Sequence, residues 1–559
     1  MGVPNGDFNR VYSMPDTPQD DSMGEAEETF DYIVVGGGSA GCILAERLSA
    51  DGRASILLLE AGGPDHHILF HLPIGAARVW NRPASNWNYT SEPEPHADNR
   101  RIAHPRGKVL GGSATINMMA YVRGHAGDYD RWAQMGLNDW CYERVLPYFR
   151  RAETFLDGAD AFHGGDGPIL TQRASHQTPL MEEWLAAGQS AGFTRTDDYN
   201  GKTQEGFDCF QFNIGNGRRA NSAVRYLRPA LSRPNLKLET HGLADRIIFE
   251  GRRAVAIEYE IGGQKKRALA RREIVLTAGA YNSPQILMRS GIGPAEHLSE
   301  LGVPIVLDRA GVGANLQDHP ASGVDVARAA PGELHHQLRL DRLCFNLARG
   351  WLLRSGPAIL PLASGTAFVK SAPEFDLPDL QLLFRGYSPT MAPWFPGLRA
   401  PQPDGIGLTV CHLRPQARGR VWLASSDPHI PPRFVNNFLA TEFDRRALRI
   451  AIRLARKVLE QPAFATARGL ERLPGPAIQS DDEIDAYVRG TVRTVFHPCG
   501  TCRMGTDETS IVDPQLRVRG IDGLRIADAS IMPDIVGGNI NAPVMMIAEK
   551  ASDYILGRS

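Results

Sequence analysis

The sequence predicts a mixed α/β and α+β chain, in which a parallel-sheet unit is interrupted by inserted material. Three observations predict it. Residues 31–60 read as strand, glycine turn, helix, strand and acid. Three distant segments, at 272–287, 311–320 and 523–533, look like further parts of that unit. Between them lie strand-like runs and one long helical pattern of different character.

The opening run, "DYIVVGGGSAGCILAERLSADGRASILLLEAG", begins at Asp31. Ile33 to Val35 are apolar and β-prone, and Leu44, Ala45 and Leu48 share one face of the following helix. Gly36, Gly38 and Gly41 give G-x-G-x-x-G. Gly36 permits the tight turn, Gly38 lets a pyrophosphate approach the backbone, and Gly41 lets the helix pack on the strand. The helix start, with Ser39 and Ala40, offers free N–H groups and a positive dipole end to phosphates. Glu60 lies 19 residues beyond Gly41, where an acid accepts ribose hydroxyls. Strand, helix and acid all fall into place, so the run reads as dinucleotide binding rather than a glycine-rich turn. The motif alone does not separate FAD from NAD.

The later segments extend this unit. "REIVLTAGAYNSPQIL" (272–287) is a strand ending in Ala-Gly-Ala, then a helix with Pro284 near its first turn. "GVGANLQDHP" (311–320) is a glycine-rich loop, and "GLRIADASIMP" (523–533) is a short strand followed by an Asp. Around 326–490 the strand-like "GIGLTVCHLR" and "GRVWLAS" precede a helical "FDRRALRIAIRLARKVLEQ". Prolines and glycines exclude regular structure from most of 385–405, where Trp394 and Phe395 sit. That loop reads either as a lid over a pocket or as a surface loop with its aromatics folded down.

Bulk properties exclude several classes. Lys plus Arg total 61 and Asp plus Glu 63 in 559 residues, so no basic field for nucleic acid is present. No run approaches the ~20 apolar residues that span a bilayer. Residues 1–29 are polar and acidic and read as a flexible extension without a secretory layout. Its Met-Gly start fails as a myristoylation site, because Gly6 stands where Ser or Thr is required. Seven scattered cysteines argue against a disulfide scaffold and for a cytoplasmic location.

"FHPCGTCRMG" (496–505) poses a choice between a zinc corner, a redox disulfide and neither. Zinc requires four ligands at a structural site, and His497, Cys499 and Cys502 supply three. A redox pair belongs after the first strand of its own βαβ unit, which this one does not follow. Both cysteines therefore read as small buried residues.

Two more stretches, "HPRGKVLGGSATIN" (104–117) and "GGNINAPVMMIAEKASDYI" (537–555), join the opening motif. Together these blocks closely resemble the glucose-methanol-choline (GMC) oxidoreductases, nearest to choline dehydrogenases and bacterial alcohol dehydrogenases. The resemblance runs from about residue 31 to the C-terminus. It implies a Rossmann-like FAD-binding domain at 30–155, 210–325 and 491–559, with 61–103 covering the flavin. It also implies a substrate domain at 156–209 and 326–490, built on a six-stranded antiparallel sheet.

The resemblance carries site residues with it. His497 matches the histidine that faces the flavin and takes the alcohol proton, and Asn541 matches the residue that hydrogen-bonds the substrate oxygen. By residue type alone a single histidine is more often structural, so the role of His497 rests on the resemblance. FAD contacts are expected at the turn residues above and at Glu60 and Ala61. Further contacts are expected at Arg106, Val109, Gly111, Gly112, Asn117, Met118, Ala278, Asp528 and Ala529. Asn539, Ile540 and Pro543 complete the set, at a helix start aimed at the flavin N1/C2 edge.

The implied reaction is oxidation of a primary alcohol to the aldehyde, by proton transfer to His497 and hydride transfer to flavin N5. The electron acceptor, whether oxygen, quinone or another, stays open. Some relatives bind FAD covalently through a His where this chain has Ile116, so FAD is expected to be non-covalent. Choline-processing relatives place a Glu after the QDHP-like segment; here Ala321 follows Pro320. A quaternary ammonium then lacks its carboxylate, and cation–π contacts alone contribute about 0.5–2 kcal/mol. Met118 also stands where close relatives often have Gly, which reshapes the pocket floor. A neutral alcohol fits better than choline. The alternatives are choline dehydrogenase proper, a GMC-fold lyase or decarboxylase, and a non-catalytic flavoprotein.

Overall fold

The computed structural model describes residues 27–174, 180–362 and 365–558. Most of the expected N-terminal extension, 1–26, lies outside the described residues. The first strand begins inside that extension, at Glu28, and runs to Val35. Its Ile33, Val34 and Val35 are buried, as a strand covered on both faces requires. It pairs in parallel with Ile56–Glu60 on one side and with Gln264–Leu276 on the other. Leu236–Thr240 extends the parallel side, and Leu524–Ile526 adds in parallel to 274–276. Arg253–Ile261 and Leu243–Glu250 complete this seven-stranded sheet as antiparallel edge strands. Chain pieces more than 480 residues apart thus build one sheet, as the discontinuous pattern implied.

A second sheet runs in the order 468–473, 320–328, 405–412, 380–385, 365–369, 206–209, antiparallel throughout. The expected six strands are there, and a two-residue strand at Arg493–Thr494 pairs with Pro320–Ala321. Strand residues 320–325 and 493–494 therefore belong to this sheet, not to the FAD-binding part where the sequence reading placed them. Their ladder partners lie in the second sheet. Helix Glu442–Leu459, capped by Thr441, packs Leu448, Ala451, Ile452 and Ala455 on that sheet's core.

Three local details follow from the structure. Pro284 lies in the second turn of helix Gly279–Arg289. Arg420–Trp422 leaves the large sheet and forms its own hairpin with Arg433–Val435. The 385–405 loop is anchored by Trp394, whose Nε1 donates to the His335 carbonyl at 3.0 Å. All seven cysteines are free thiols, and no metal-binding group exists among the described residues. No helix among them is long and apolar enough to cross a membrane.

Candidate active site

The glycine turn is shaped by close approach. Gly36 has φ +110, and a Cβ there would meet the Thr277 carbonyl at 2.7 Å. A Cβ on Gly41 would lie 1.9 Å from the Gly36 carbonyl, so only glycine lets helix Ser39–Ser49 seat on its strand. At Gly38 the nearest atom to a Cβ is 4.0 Å away, which leaves a cradle open beside the helix start. The 104–117 loop closes over this turn. Gly111 N donates to the Gly37 carbonyl at 2.7 Å, and Gly112, at φ +55, packs against Gly38. Val109 and Ile116 are buried with Phe70 and Val79.

Both helices directed at this cradle lack a capping side chain. Helix Ser39–Ser49 starts after Gly38, and helix Asn541–Leu556 starts after Ile540, with no side-chain acceptor for their first N–H groups. Scaffold helices such as Ala126–Gln134 and Asp481–Thr491 carry full capping boxes. Pro543 removes one orphan donor from the 541–556 helix, and buried Ala542 keeps its own. Ala40, Ala61, Ala278, Ala529 and Ile540 are small or apolar positions around these backbone groups. Glu60 accepts from Gly37 N at 2.9 Å and Gly62 N at 2.7 Å, and burial pushes its carboxyl up to about 7. Each of its oxygens keeps a lone pair for a hydroxyl.

An orphaned cation completes the fit. Arg219 is buried, faces no carboxylate, and burial lowers it to about 9. Its Nη1 donates to Asn117 Oδ1 at 2.6 Å, while its Nη2 has no partner. Uncapped helix starts, an open glycine cradle and a buried guanidinium with its Nη2 free all suit an anionic dinucleotide. Asp528, by contrast, is already engaged. It accepts from Gly279 N, Ser283 Oγ and Ser530 N, so it holds the 279–289 helix start. Met118 is 37% exposed beside Asn117.

His497 stands on a strained loop. Phe496 just before it has φ 71, the left-handed region that a bulky residue rarely adopts. Thr494 Oγ1 accepts from Phe496 N at 2.6 Å, and Arg106 Nη2 donates to the Phe496 carbonyl at 2.8 Å. Arg106, expected at the cofactor, thus clamps the histidine loop. Asp318 Oδ1 accepts from both His497 N and His319 N, at 2.9 and 2.8 Å. Burial raises its carboxyl to about 6.

The ring of His497 has two partners. Its Nδ1 lies 3.0 Å from His319 Nδ1, and its Nε2 lies 3.1 Å from Asn539 Nδ2. Asn541 does not take that place: its Oδ1 accepts from Ser39 Oγ at 2.7 Å. The two asparagines exchange the positions expected of them. Asn539 lies in the loop before the helix and Asn541 is its first residue, so their side chains diverge. Burial first, then His319 and Arg106, hold His497 well below the usual histidine range. It is a neutral ring at neutral pH. Cys499 and Cys502 are buried, and burial raises both thiols far above their ordinary range.

A glycine cradle with two uncapped helix starts, together with a neutral, hydrogen-bonded histidine, suits a dinucleotide-dependent oxidoreductase. The GMC oxidoreductase family matches this chain over residues 30–321 and 415–548, and the chain belongs to that family. Oxygen-dependent choline dehydrogenase of Brucella ovis is 44% identical over 535 residues, covering 95% of this chain and 96% of its own. The protein of that description from Chromohalobacter salexigens is 44% identical over 542 residues, covering 96% of each chain. Among solved structures, pyridoxine 4-oxidase from Mesorbium loti is 31% identical with TM-score 0.84, covering 93% of this chain and 98% of its own. Formate oxidase, known from Aspergillus oryzae, is 26% identical with TM-score 0.85, covering 96% and 99%. This chain is an FAD-dependent enzyme that oxidises the CH–OH group of an alcohol.

Proposed function

We propose that this enzyme oxidises a neutral primary alcohol to the aldehyde, with His497 as base and Asn539 as the group that orients the substrate oxygen. Bound FAD supplies the hydride acceptor. The carrying observation is the His497 Nε2 to Asn539 Nδ2 contact. An amide nitrogen only donates, so the facing Nε2 presents a lone pair. A substrate hydroxyl entering between them gives its proton to Nε2 and accepts from Asn539 Nδ2. The oxygen then gains alkoxide character without a charged side chain beside it.

Gly38, the two uncapped helix starts, Glu60 and Arg219 would hold the cofactor. Ile116, packed with Phe70, Val79 and Val109, has no nucleophile, which supports non-covalent FAD. Ala321 supports a neutral substrate, because its methyl is fully buried between strand neighbours and offers no carboxylate. Asp318 is no substitute, with its oxygens engaged by Thr494, His319 and His497.

Anaerobic bleaching of the flavin by alcohols tests this reading. His497→Ala should retain FAD and slow bleaching by roughly 10²–10⁴. Asn539→Ala should slow it less, and Asn541→Ala should act on FAD retention instead. Choline should be a poorer substrate than its carbon isostere, in which tert-butyl replaces trimethylammonium. Unchanged bleaching in His497→Ala would overturn the base assignment, and a preference for choline would overturn the neutral pocket. Turnover of a carbonyl adduct or carboxylate without any flavin reduction by alcohols would mark a lyase or decarboxylase.

A further inference from the structure

Apolar surface is concentrated in one place on this molecule. Among the described residues, sixteen large apolar side chains are exposed, and seven of them fall within 340–360 or at Leu398. Helix Leu340–Leu353 carries the centre of this patch. Its inner face, Leu343 and Leu347, packs on Leu72, Ile74 and Ala358. Phe345, Ala348 and Leu352 recur at helical spacing on the opposite face, with Leu353 beside them. Phe345 is 65% exposed, Leu352 75% and Leu353 71%. The turn 395–399 adjoins the start of this helix through the Leu340 N to Trp394 O hydrogen bond, and it presents Leu398 at 79%.

The charge around this patch is mostly positive. Arg339, Arg342, Arg349, Arg354 and Arg399 surround it, and Asp341, held by Arg339, is the one carboxylate in 338–360 and 386–400. Arg342 and Arg349 lie one above the other, two turns apart, along one edge of the apolar stripe. Trp351 closes the end, with Arg218 stacked over its ring at 4.6 Å. An apolar stripe edged by arginines and a tryptophan matches the acyl–headgroup boundary of an anionic bilayer. A second copy of this chain fits less well, because a self-complementary contact would bring arginines together with no free carboxylate to meet them.

We propose that helix 340–353 and the 395–399 turn form a docking surface for anionic lipid membranes, on which the enzyme rests without inserting. The helix packs on Leu72 and Ile74, and a few residues further along the chain Trp80 touches Phe496, the neighbour of His497, with ring centroids 5.4 Å apart. The proposal does not depend on the proposed reaction, and its assay uses no turnover.

Flotation of the purified holoenzyme with two vesicle types tests it. Vesicles of phosphatidylcholine with phosphatidylglycerol should carry the enzyme upward, and pure phosphatidylcholine should carry about tenfold less. Raised salt should weaken the binding. Leu352→Glu with Leu353→Glu should abolish it, while Arg342→Gln with Arg349→Gln should weaken it on anionic vesicles only. Both pairs are solvent-facing, so FAD content and thermal midpoint should match the parent enzyme. Leu470→Glu, on an exposed leucine outside the patch, should float like the parent. Failure of the parent to float with anionic vesicles overturns the proposal. So does a solution dimer that the double glutamate variant converts to monomer.

Discussion

At the scale of single residues, the protons around His497 can be placed by elimination. Gln381 Nε2 donates to Asn539 Oδ1 at 3.5 Å, which turns Asn539 Nδ2 toward the ring. His497 Nε2 must then accept, so the neutral ring carries its proton on Nδ1 and donates it to His319 Nδ1. His319 in turn carries its proton on Nε2, which faces the Leu413 backbone without a hydrogen bond of ordinary length. His319 is a positioning residue: it keeps the lone pair of His497 toward the substrate. Burial and His412 lower His319 to about 3, so it is neutral at neutral pH and can accept the His497 proton on Nδ1. Because His497 is also lowered, kcat/KM should stay level as pH falls through ~6.5 and decline only below it. His319→Leu frees His497 to put its proton on Nε2. Its rate should fall by ~10² with FAD affinity unchanged, and the acid limb of the pH profile should move upward, because one of the contacts that hold His497 low is gone while burial remains. A pH profile of flavin reduction identical to the parent would refute the positioning role. His497 was legible in the sequence through the HPCGT wording, and His319 through QDHP only as a loop. The sequence reading put Asn541 where the structure has Asn539 beside His497, because two residues decide whether a side chain precedes a helix or begins it, and no local signal marks Ile540 as the boundary.

At the scale of elements, the sequence and the structure agree where chemistry restricts choice and part where packing decides. Gly36 and Gly41 admit no other side chain, so the first strand, turn and helix could be read directly. Asp528 was expected among the FAD contacts, and its side chain is engaged at the 279–289 helix start. Arg219 left no signal, since one Arg in "GRRANSA" resembles any other. Its meaning comes from burial without a carboxylate: the oxygens of Phe70, Ala114 and Asn117 hold its Nε and Nη1, and Nη2 is left for a ligand anion or dipole. Arg219→Met takes the donor from two buried carbonyls, so it should modestly destabilise the apoprotein and weaken FAD binding by tenfold or more. Urea unfolding of the apoprotein and FAD titration by flavin fluorescence read the two effects separately. A variant that binds FAD as tightly as the parent would remove Arg219 from the cofactor site.

At the scale of the whole molecule, the two sheets must hold a fixed relation, because His497 follows a strand of one and helix 541–556 belongs to the other. Asp128 is one tie, accepting from Arg414 Nη1 and from Gly537 N just before Asn539. Elsewhere in the molecule is a largely buried cluster in which His163 bridges Glu153 at 2.8 Å and Asp198 at 2.9 Å, with Arg123 also on Glu153. None of this was readable from sequence, since its members lie at 123, 153, 163 and 198 with no shared motif. Burial lowers His163, but the hydrogen bonds to Asp198 and Glu153 outweigh it and the net direction is upward from 6.5. Burial raises Glu153 and Asp198, and there Arg123 and His163 respectively lead the opposing contacts that bring both below their ordinary range. The signs set a window. The histidine's contribution is complete below ~6.5 and is lost as pH rises through its raised folded value. The carboxylates' contribution is present above ~4 and is lost as pH falls through their lowered values. The cluster should stabilise most between about pH 4.5 and 6.5. His163→Gln keeps a hydrogen-bonding side chain but removes the charge. Near pH ~5.5 it should cost about 2–3 kcal/mol, the worth of a hydrogen bond to a charged group, and by pH ~9 most of that difference should vanish. Denaturant unfolding of parent and variant at the two pH values measures it, and an equal loss at both would show that His163 works as a neutral packing group.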